Sequence, residues 1–506
     1  MKRLSLVLIT VDCLRADHVG FQGYPRPVTP FLDSLAQSSL VISDAVVAGA
    51  PTYFSFPAIM ASRYALSLGR ESLGIGPQES TIATVLQSSG YRTAAFLAGN
   101  PYLSARYGYN QGFSEFQDFL DPAASGVLML PMPPGNSRFS RLNRGLEAFA
   151  RRTRLTAAYN ELYFQYCQRK STAEDLSLDE LRRYPAADVL INKARAWLSS
   201  VQQQPFFLWI HLMDPHHPYY PPREALRSLG LNISGQRARY LNSFWNRGDI
   251  GPRRLQRHKA EVASLYDAGV HWVDQQLSRL VGELQRLQRW DETAFVVTAD
   301  HGEEFLERGE RYHSPTGLPE ALIHVPLLMR IPETSRGKIS ATPFSLIHLA
   351  PTLLECAGVE SPETFQGRSH WNELKHGCLS SEPAIAECAD GSNGTQEDQD
   401  RVRPRLLAVR DGHLKLVIRF RDRTDSLYDL EADPEERSPL PAEVKRKERA
   451  RLLQIALDHL RQSREGRDSI AAVRARVREI GRKLDHRPPS TNGAQDQSAV
   501  ETVRHG

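Results

Sequence analysis

Two apolar runs of this sequence end in residues able to hold a cation. Asp12 follows Leu4–Val11, and Asp300-His301-Gly302 follows Ala294-Phe295-Val296-Val297-Thr298. A carboxylate at the end of a buried run is costly unless it meets a cation or hydrogen-bond donors. Brought to one edge, Asp12, Asp300 and His301 would form an oxygen-rich site with one nitrogen, suited to Mg²⁺, Mn²⁺, Ca²⁺ or Zn²⁺. Either aspartate alone could equally cap a helix. Ser55 lies in Thr52-Tyr53-Phe54-Ser55-Phe56-Pro57-Ala58. Pro57 suits a first helical turn, so Ser55 reads as the N-cap or its neighbour. It is either a cap or a nucleophile deprotonated by a metal and served by the N–H groups of the helix start. His211 and Asp214-Pro215-His216-His217-Pro218-Tyr219 place three histidines and an aspartate within seven residues. Such a cluster can ligate a metal, bind an oxyanion or protonate a leaving group. His313 and His324 are weaker, isolated signals.

These residues need elements to carry them. Leu4–Asp12, Arg92–Gly99, Pro205–Asp214, Thr293–Asp300 and His324–Pro332 read as short buried strands. Helical patterns lie between them, including Thr81–Ser89 and His258–Leu287. The alternation predicts an α/β fold: a large, mainly parallel sheet sandwiched by helices. Ligands of such sheets bind at the carboxyl ends of the strands, where Asp12, Asp214, Asp300 and His301 fall. From Leu406 to Glu436, short strands around the turn Asp411-Gly412 predict a small antiparallel subdomain.

The expected organisation is a catalytic domain over 1–375, the small subdomain over 376–440, a charged helical extension over 441–485 and a disordered tail over 486–506. Residues 122–185 read as an insertion. Within it, Val127–Gly135 is irregular, and Arg138–Lys170 carries eight Arg or Lys against Glu147 and Glu161. That stretch is either a solvated helical cap or a lid attracting an anionic substrate. With 506 residues, 41% hydrophobic, 24% charged and a net charge of +4, the composition is ordinary for a globular protein and gives no reason to expect a nucleic-acid partner. No apolar stretch approaches the ~20 residues of a membrane helix, and the run after Lys2-Arg3 stops at Asp12 without a cleavage site. Five cysteines in no metal-binding spacing point to reduced thiols and a cytoplasmic protein.

Taken in order, several segments resemble the sulfatase family of the alkaline phosphatase superfamily. They are Val7–His18 with Gly23-Tyr24 and Thr29–Asp33, then Asn100–Leu103 with Tyr107–Phe113, Met213–Tyr219, Thr298–Glu303 and His324–Leu327. Leu349–Leu354, Gln366–Ser369, Arg410–Leu416 and Leu427–Glu435 continue the match. The resemblance implies that Asp12, Ser55, Asp300 and His301 hold one divalent metal, that Ser55 is the nucleophile, and that His216 and His313 act near the substrate anion. Asn100, His211, Asp214 and His217 are the expected substrate-binding residues.

The departures matter as well. Relatives that mature to formylglycine carry Cys or Ser followed by x-Pro-x-Arg, whereas Ser55 is followed by Phe56-Pro57-Ala58-Ile59. An unmodified serine is therefore expected. Cys13 replaces the family's second aspartate, Gly99-Asn100-Pro101-Tyr102 replaces its Gly-Lys-x-His segment, and Pro218 removes the two-zinc spacing. The expected activity is metal-dependent hydrolysis of a sulfate or phosphate ester on a small molecule, an anionic glycan or a lipid. A phosphoglycerol- or phosphoethanolamine-type transferase and a non-catalytic binding protein are the alternatives.

Overall fold

The computed structural model describes residues 3–67, 74–120, 138–171, 177–201, 203–332, 334, 337–339, 342–389, 391 and 405–465. The irregular run expected at 127–135, the later part of the helical extension and the expected tail lie outside these residues.

The strands, in chain order, are β1 (Ser5–Val11), β2 (Leu40–Val46), β3 (Arg92–Leu97), β4 (Glu115–Gln117), β5 (Phe206–Leu212), β6 (Thr293–Ala299), β7 (Glu304–Phe305), β8 (Arg311–Tyr312), β9 (His324–Arg330), β10 (Gly337–Ile339), β11 (Phe344–Ser345), β12 (Ala384–Ala389), β13 (Arg405–Asp411), β14 (Leu414–Arg419) and β15 (Thr424–Asp429). Nine of them form one sheet in the order β10-β2-β9-β6-β1-β5-β3-β4, with β11 also paired to β2. Strands β1, β5 and β6 are buried along their whole length, as expected of unbroken apolar runs covered on both faces. Only β9 runs against its neighbours, antiparallel to both β2 and β6, so the sheet is mixed but mainly parallel.

The register assembles the site. Val11 pairs with Leu212 on one side and with Ala299 on the other, so Asp12 and Asp300 leave adjacent strands side by side. His211 pairs with both Thr10 and Leu97, so it lies beside the end of β1 and just before Asn100. The long helix Lys259–Arg286 backs this edge. Its Tyr266 hydroxyl donates to the Cys13 carbonyl at 2.8 Å and accepts from the Arg15 amide at 3.0 Å.

The small sheet runs β12-β13-β14-β15, antiparallel throughout. Its two faces follow the period-two rule. Ala384, Ala386, Cys388, Leu406 and Ala408 join the main core. Ile385, Leu407, Val409, Leu416 and Leu427 pack with Leu452 and Ala456 of the helix Arg446–Glu465. The basic stretch forms two helices, Arg138–Arg152 and Thr156–Ser171. Among the described residues, no helix is long and apolar enough to cross a membrane.

Candidate active site

Asp12 is fully buried and its two carboxylate oxygens have different neighbours. Oδ2 accepts from Asn100 Nδ2 at 2.9 Å and lies 3.3 Å from His211 Nε2. His211 is itself held from behind: its Nδ1 is 3.0 Å from Thr10 Oγ1, which accepts from Trp209 Nε1 at 3.0 Å. Oδ1 faces the Cys13 thiol at 3.1 Å and His301 Nε2 at 3.7 Å. Asn100 and His211, expected to touch substrate, lie against Asp12 and orient it.

Asp300 accepts the His301 amide through Oδ1 at 3.0 Å, whereas its buried Oδ2 has no hydrogen-bond partner. His301 Nε2 is 3.6 Å from that oxygen. With Nδ1–H donated to the Gly302 carbonyl at 2.8 Å, His301 presents the Nε2 lone pair to both aspartates, the tautomer a metal ligand requires. Gly302 is needed at this turn because a Cβ there would collide with the Ala321 carbonyl. Burial alone would raise Asp12, yet His216, His211 and His301 hold its carboxyl well below the usual range. Burial and the Asp12 charge push Asp300 up. Two adjacent buried carboxylates cannot both ionise without a counter-charge. The orphaned Asp300 oxygen, the His301 tautomer and this like-charge conflict all fit a bound cation held by Asp12, Asp300 and His301.

The helix after β2 begins earlier than Pro57 suggests. It spans Thr52–Ala61 with Pro51 as N-cap, and Pro57 lies inside it. Ser55 is thus one turn into the helix, where its hydroxyl donates to the Thr52 carbonyl at 3.1 Å. The hydroxyl that meets the aspartate–histidine cluster belongs to Thr52, with Oγ1 3.2 Å from His301 Nε2. This corrects the reading of Ser55 as a site hydroxyl.

His216 and His313 come together as expected, with ring centroids 5.0 Å apart, and His313 stacks 4.7 Å from His301. Cys13 Sγ and Glu303 Oε1 lie 3.4 and 3.3 Å from His313 Nδ1. Burial pulls both imidazoles down. In His216 burial wins, whereas the Glu303 carboxylate lifts His313 above its ordinary value. Glu303 was not singled out from sequence, although it stands two residues past His301 and is completely buried.

Asp214 accepts the Ala187 amide at 3.2 Å, at the start of the helix Ala187–Ser200, and burial pushes its pKa up to about 7. Its other oxygen, Oδ2, is buried without a hydrogen-bond partner. His217 packs against Tyr219 and Tyr312, its ring 4.3 Å from that of Tyr312. His324 faces the Ser43 carbonyl at 2.8 Å, away from the cluster.

Comparison with known proteins adds the family. The model of the sulfatase family matches residues 5–359. The chain belongs to the sulfatase family. The model of the N-sulphoglucosamine sulphohydrolase C-terminal region matches residues 317–463 of this sulfatase. The arylsulfatase of Clostridium perfringens (strain 13 / Type A) is 23% identical over 507 residues, covering 91% of this chain and 95% of the relative. Among solved structures, the phosphonate monoester hydrolase of Agrobacterium radiobacter superposes with a TM-score of 0.61 at 18% identity, over 91% of this chain and 96% of that one. BT4656 in complex with D-glucosamine-2-N,6-O-disulfate superposes with a TM-score of 0.63 at 17% identity, over 92% and 99%. Membership and fold make this sulfatase a hydrolase of sulfate or phosphate esters in a family that depends on metal.

Proposed function

We propose that this sulfatase cleaves its ester with Thr52 as an unmodified nucleophile, beside one divalent cation held by Asp12, Asp300 and His301. The observation that carries this reading is the Thr52 hydroxyl, at the start of a helix and 3.2 Å from His301 Nε2. When bound, the cation would supply Lewis-acid charge for the ester oxygens and favour ionisation of a nearby hydroxyl. Asn100 and His211 hold Oδ2 of the Asp12 carboxylate, which leaves Oδ1 turned toward His301. The positive end of the helix Thr52–Ala61 favours the anionic group under attack. Thr52 gives up its hydroxyl proton to solvent, and its Oγ bonds to sulfur or phosphorus as the bond to the alcohol oxygen breaks. His313, which the Glu303 carboxylate lifts above its ordinary value against the pull of burial, gives a proton to that oxygen. Water then hydrolyses the threonyl ester. Threonine is not a precursor of formylglycine, and no arginine stands four residues on, where Phe56 lies.

Substrates of the anionic glycan or small-ester class suit this site, in keeping with the disulfated sugar held by the structural relative BT4656. All five cysteines are free, which supports a reducing, cytoplasmic setting; an accessible-thiol count below five in the denatured protein would argue against it.

A panel of 4-nitrophenyl sulfate, phosphate, phosphate diester and phenylphosphonate, each with Mn²⁺, Mg²⁺, Ca²⁺ and Zn²⁺, tests the reading. Thr52→Ala should lower turnover on the order of 10³-fold or more, whereas Ser55→Ala should keep most of it. The opposite order would restore Ser55 as nucleophile, and full activity in both variants would exclude Thr52 and Ser55 alike.

A further inference from the structure

Cys13 has no part in the reaction above, yet its placement is demanding. It is fully buried and has φ +62°, a left-handed conformation that a residue with a Cβ seldom adopts. Tyr266 fixes this turn through the Cys13 carbonyl. The turn sends the side chain back toward the strand edge, with Sγ 3.1 Å from Asp12 Oδ1. A side-chain nitrogen of His301 also lies within 4.8 Å of Sγ. Strain of this kind persists where the surroundings enforce it, commonly at functional sites.

The neighbouring donors share one small volume. His301 Nε2 is 3.7 Å from Asp12 Oδ1 and 3.6 Å from Asp300 Oδ2. Ligands bound to one ion at about 2.0–2.3 Å stand about 3.3–3.8 Å apart in a tetrahedral arrangement. The three successive spacings, 3.1 Å from Cys13 Sγ to Asp12 Oδ1, 3.7 Å from there to His301 Nε2 and 3.6 Å on to Asp300 Oδ2, are close to that. Independently, Asp300 Oδ2 is buried, lacks a hydrogen-bond partner and faces the same space.

We propose that Cys13 Sγ is a ligand of the site's cation, alongside Asp12, Asp300 and His301, and that this sulfatase therefore selects a thiophilic ion such as Zn²⁺ over Ca²⁺ or Mg²⁺. The proposal rests on the reading that those three residues hold a cation. A thiolate favours zinc-like ions, whereas a purely carboxylate and imidazole set accepts the harder ones. Coordination replaces the S–H bond with an S–metal bond, and the proton passes to solvent, one per ion bound. No electron moves and no oxidant is needed.

Cobalt(II) titration of the metal-stripped full-length protein tests the thiolate without relying on turnover. The wild type should develop both visible d–d bands and a near-ultraviolet thiolate-to-cobalt charge-transfer band. Cys13→Ser should lose the charge-transfer band, keep d–d absorption, and bind Zn²⁺ at least about tenfold more weakly. Cys13→Asp should shift preference toward Mn²⁺ and Mg²⁺. Because a Cys13 variant can fail to fold, a protein with Cys167, Cys356, Cys378 and Cys388 all changed to Ser supplies the second arm and should retain the band. A charge-transfer band absent from the wild type or from that fourfold variant, or unchanged in Cys13→Ser, overturns Cys13 as ligand. If d–d bands are still present in that case, the cation site of the proposed function stands. Absence of any cobalt spectrum in the wild type overturns both.

Discussion

At Asp12, Oδ2 is held by Asn100 and faces His211, while Oδ1 turns toward Cys13 and His301. The opposite shifts of His216 and His313 separate two chemically identical rings, so that His313 holds a proton to higher pH than His216 does. His313→Asn should therefore slow esters of poorly acidic alcohols by about 10²–10⁴-fold while nitrophenyl esters, which leave without help, change little. Equal slowing of both substrate types would reduce His313 to binding or structure. Asp12, Asp300 and His301 were legible in the sequence because each ends or follows an unbroken apolar run, where a charge needs a reason. Thr52 was not, because Pro57 reads as a first-turn proline and so assigns the helix start to Ser55. The better marker was Pro51, which the structure makes the N-cap. The orienting roles of Asn100 and His211 depend on strand register, which local sequence does not encode.

Among the elements, strands β1, β5 and β6 were readable as continuous apolar runs. Strand β2 was not, because Ser43 and Asp44 interrupt it. The direction of β9 was equally hidden, since an apolar run looks the same whichever way its neighbours run. The basic helical pair proves to be an outer layer. Its second helix is tied inward by Glu161, which accepts from Arg247 and Arg254 at 2.7 Å each, and by Phe164 against Tyr240 and Phe244. Arg144, Arg151, Arg152 and Arg154 are exposed, and so are Leu146, Phe149 and Leu162 of the same two helices. The C-terminal helix depends more sharply on single residues. Leu452 is fully buried against the small sheet, whereas Leu457 is 48% exposed on the same helix. Leu452→Ala should cost about 2–5 kcal/mol in denaturant unfolding, and Leu457→Ala should stay within about 0.5 kcal/mol. Similar losses at both positions would mean that the helix is not docked as described.

Across the whole molecule, charge helps join the small sheet to the large one. Lys415 pairs with Glu320 and Glu436 at 2.9 Å each, and Arg410 reaches Glu320 at 3.0 Å and also pairs with Asp44 of β2. Burial would raise Glu320, but Lys415 and Arg410 outweigh it and hold the carboxyl at about 2. An unfolded glutamate titrates near about 4.3, so this contribution is complete above that pH and is lost as pH falls through about 2. Glu320→Gln should flatten the fall of Tm over that window, and an unchanged acid slope would show that Glu320 does not fasten the sheets. Glu320 opens the short helix Glu320–Ile323, and the same helix reaches the edge that carries Asp12 and His301: the Leu322 carbonyl accepts the Gly302 amide at 2.8 Å, one residue after His301. Lys415 and Glu436 are among the later parts of the fold to leave the ribosome, long after Asp12, Thr52 and His301 have emerged. Until Lys415 and Glu436 have emerged, a chain being translated carries Asp12, Thr52 and His301 without the clasp on the segment behind His301, so that segment is fastened only after translation has passed Glu436.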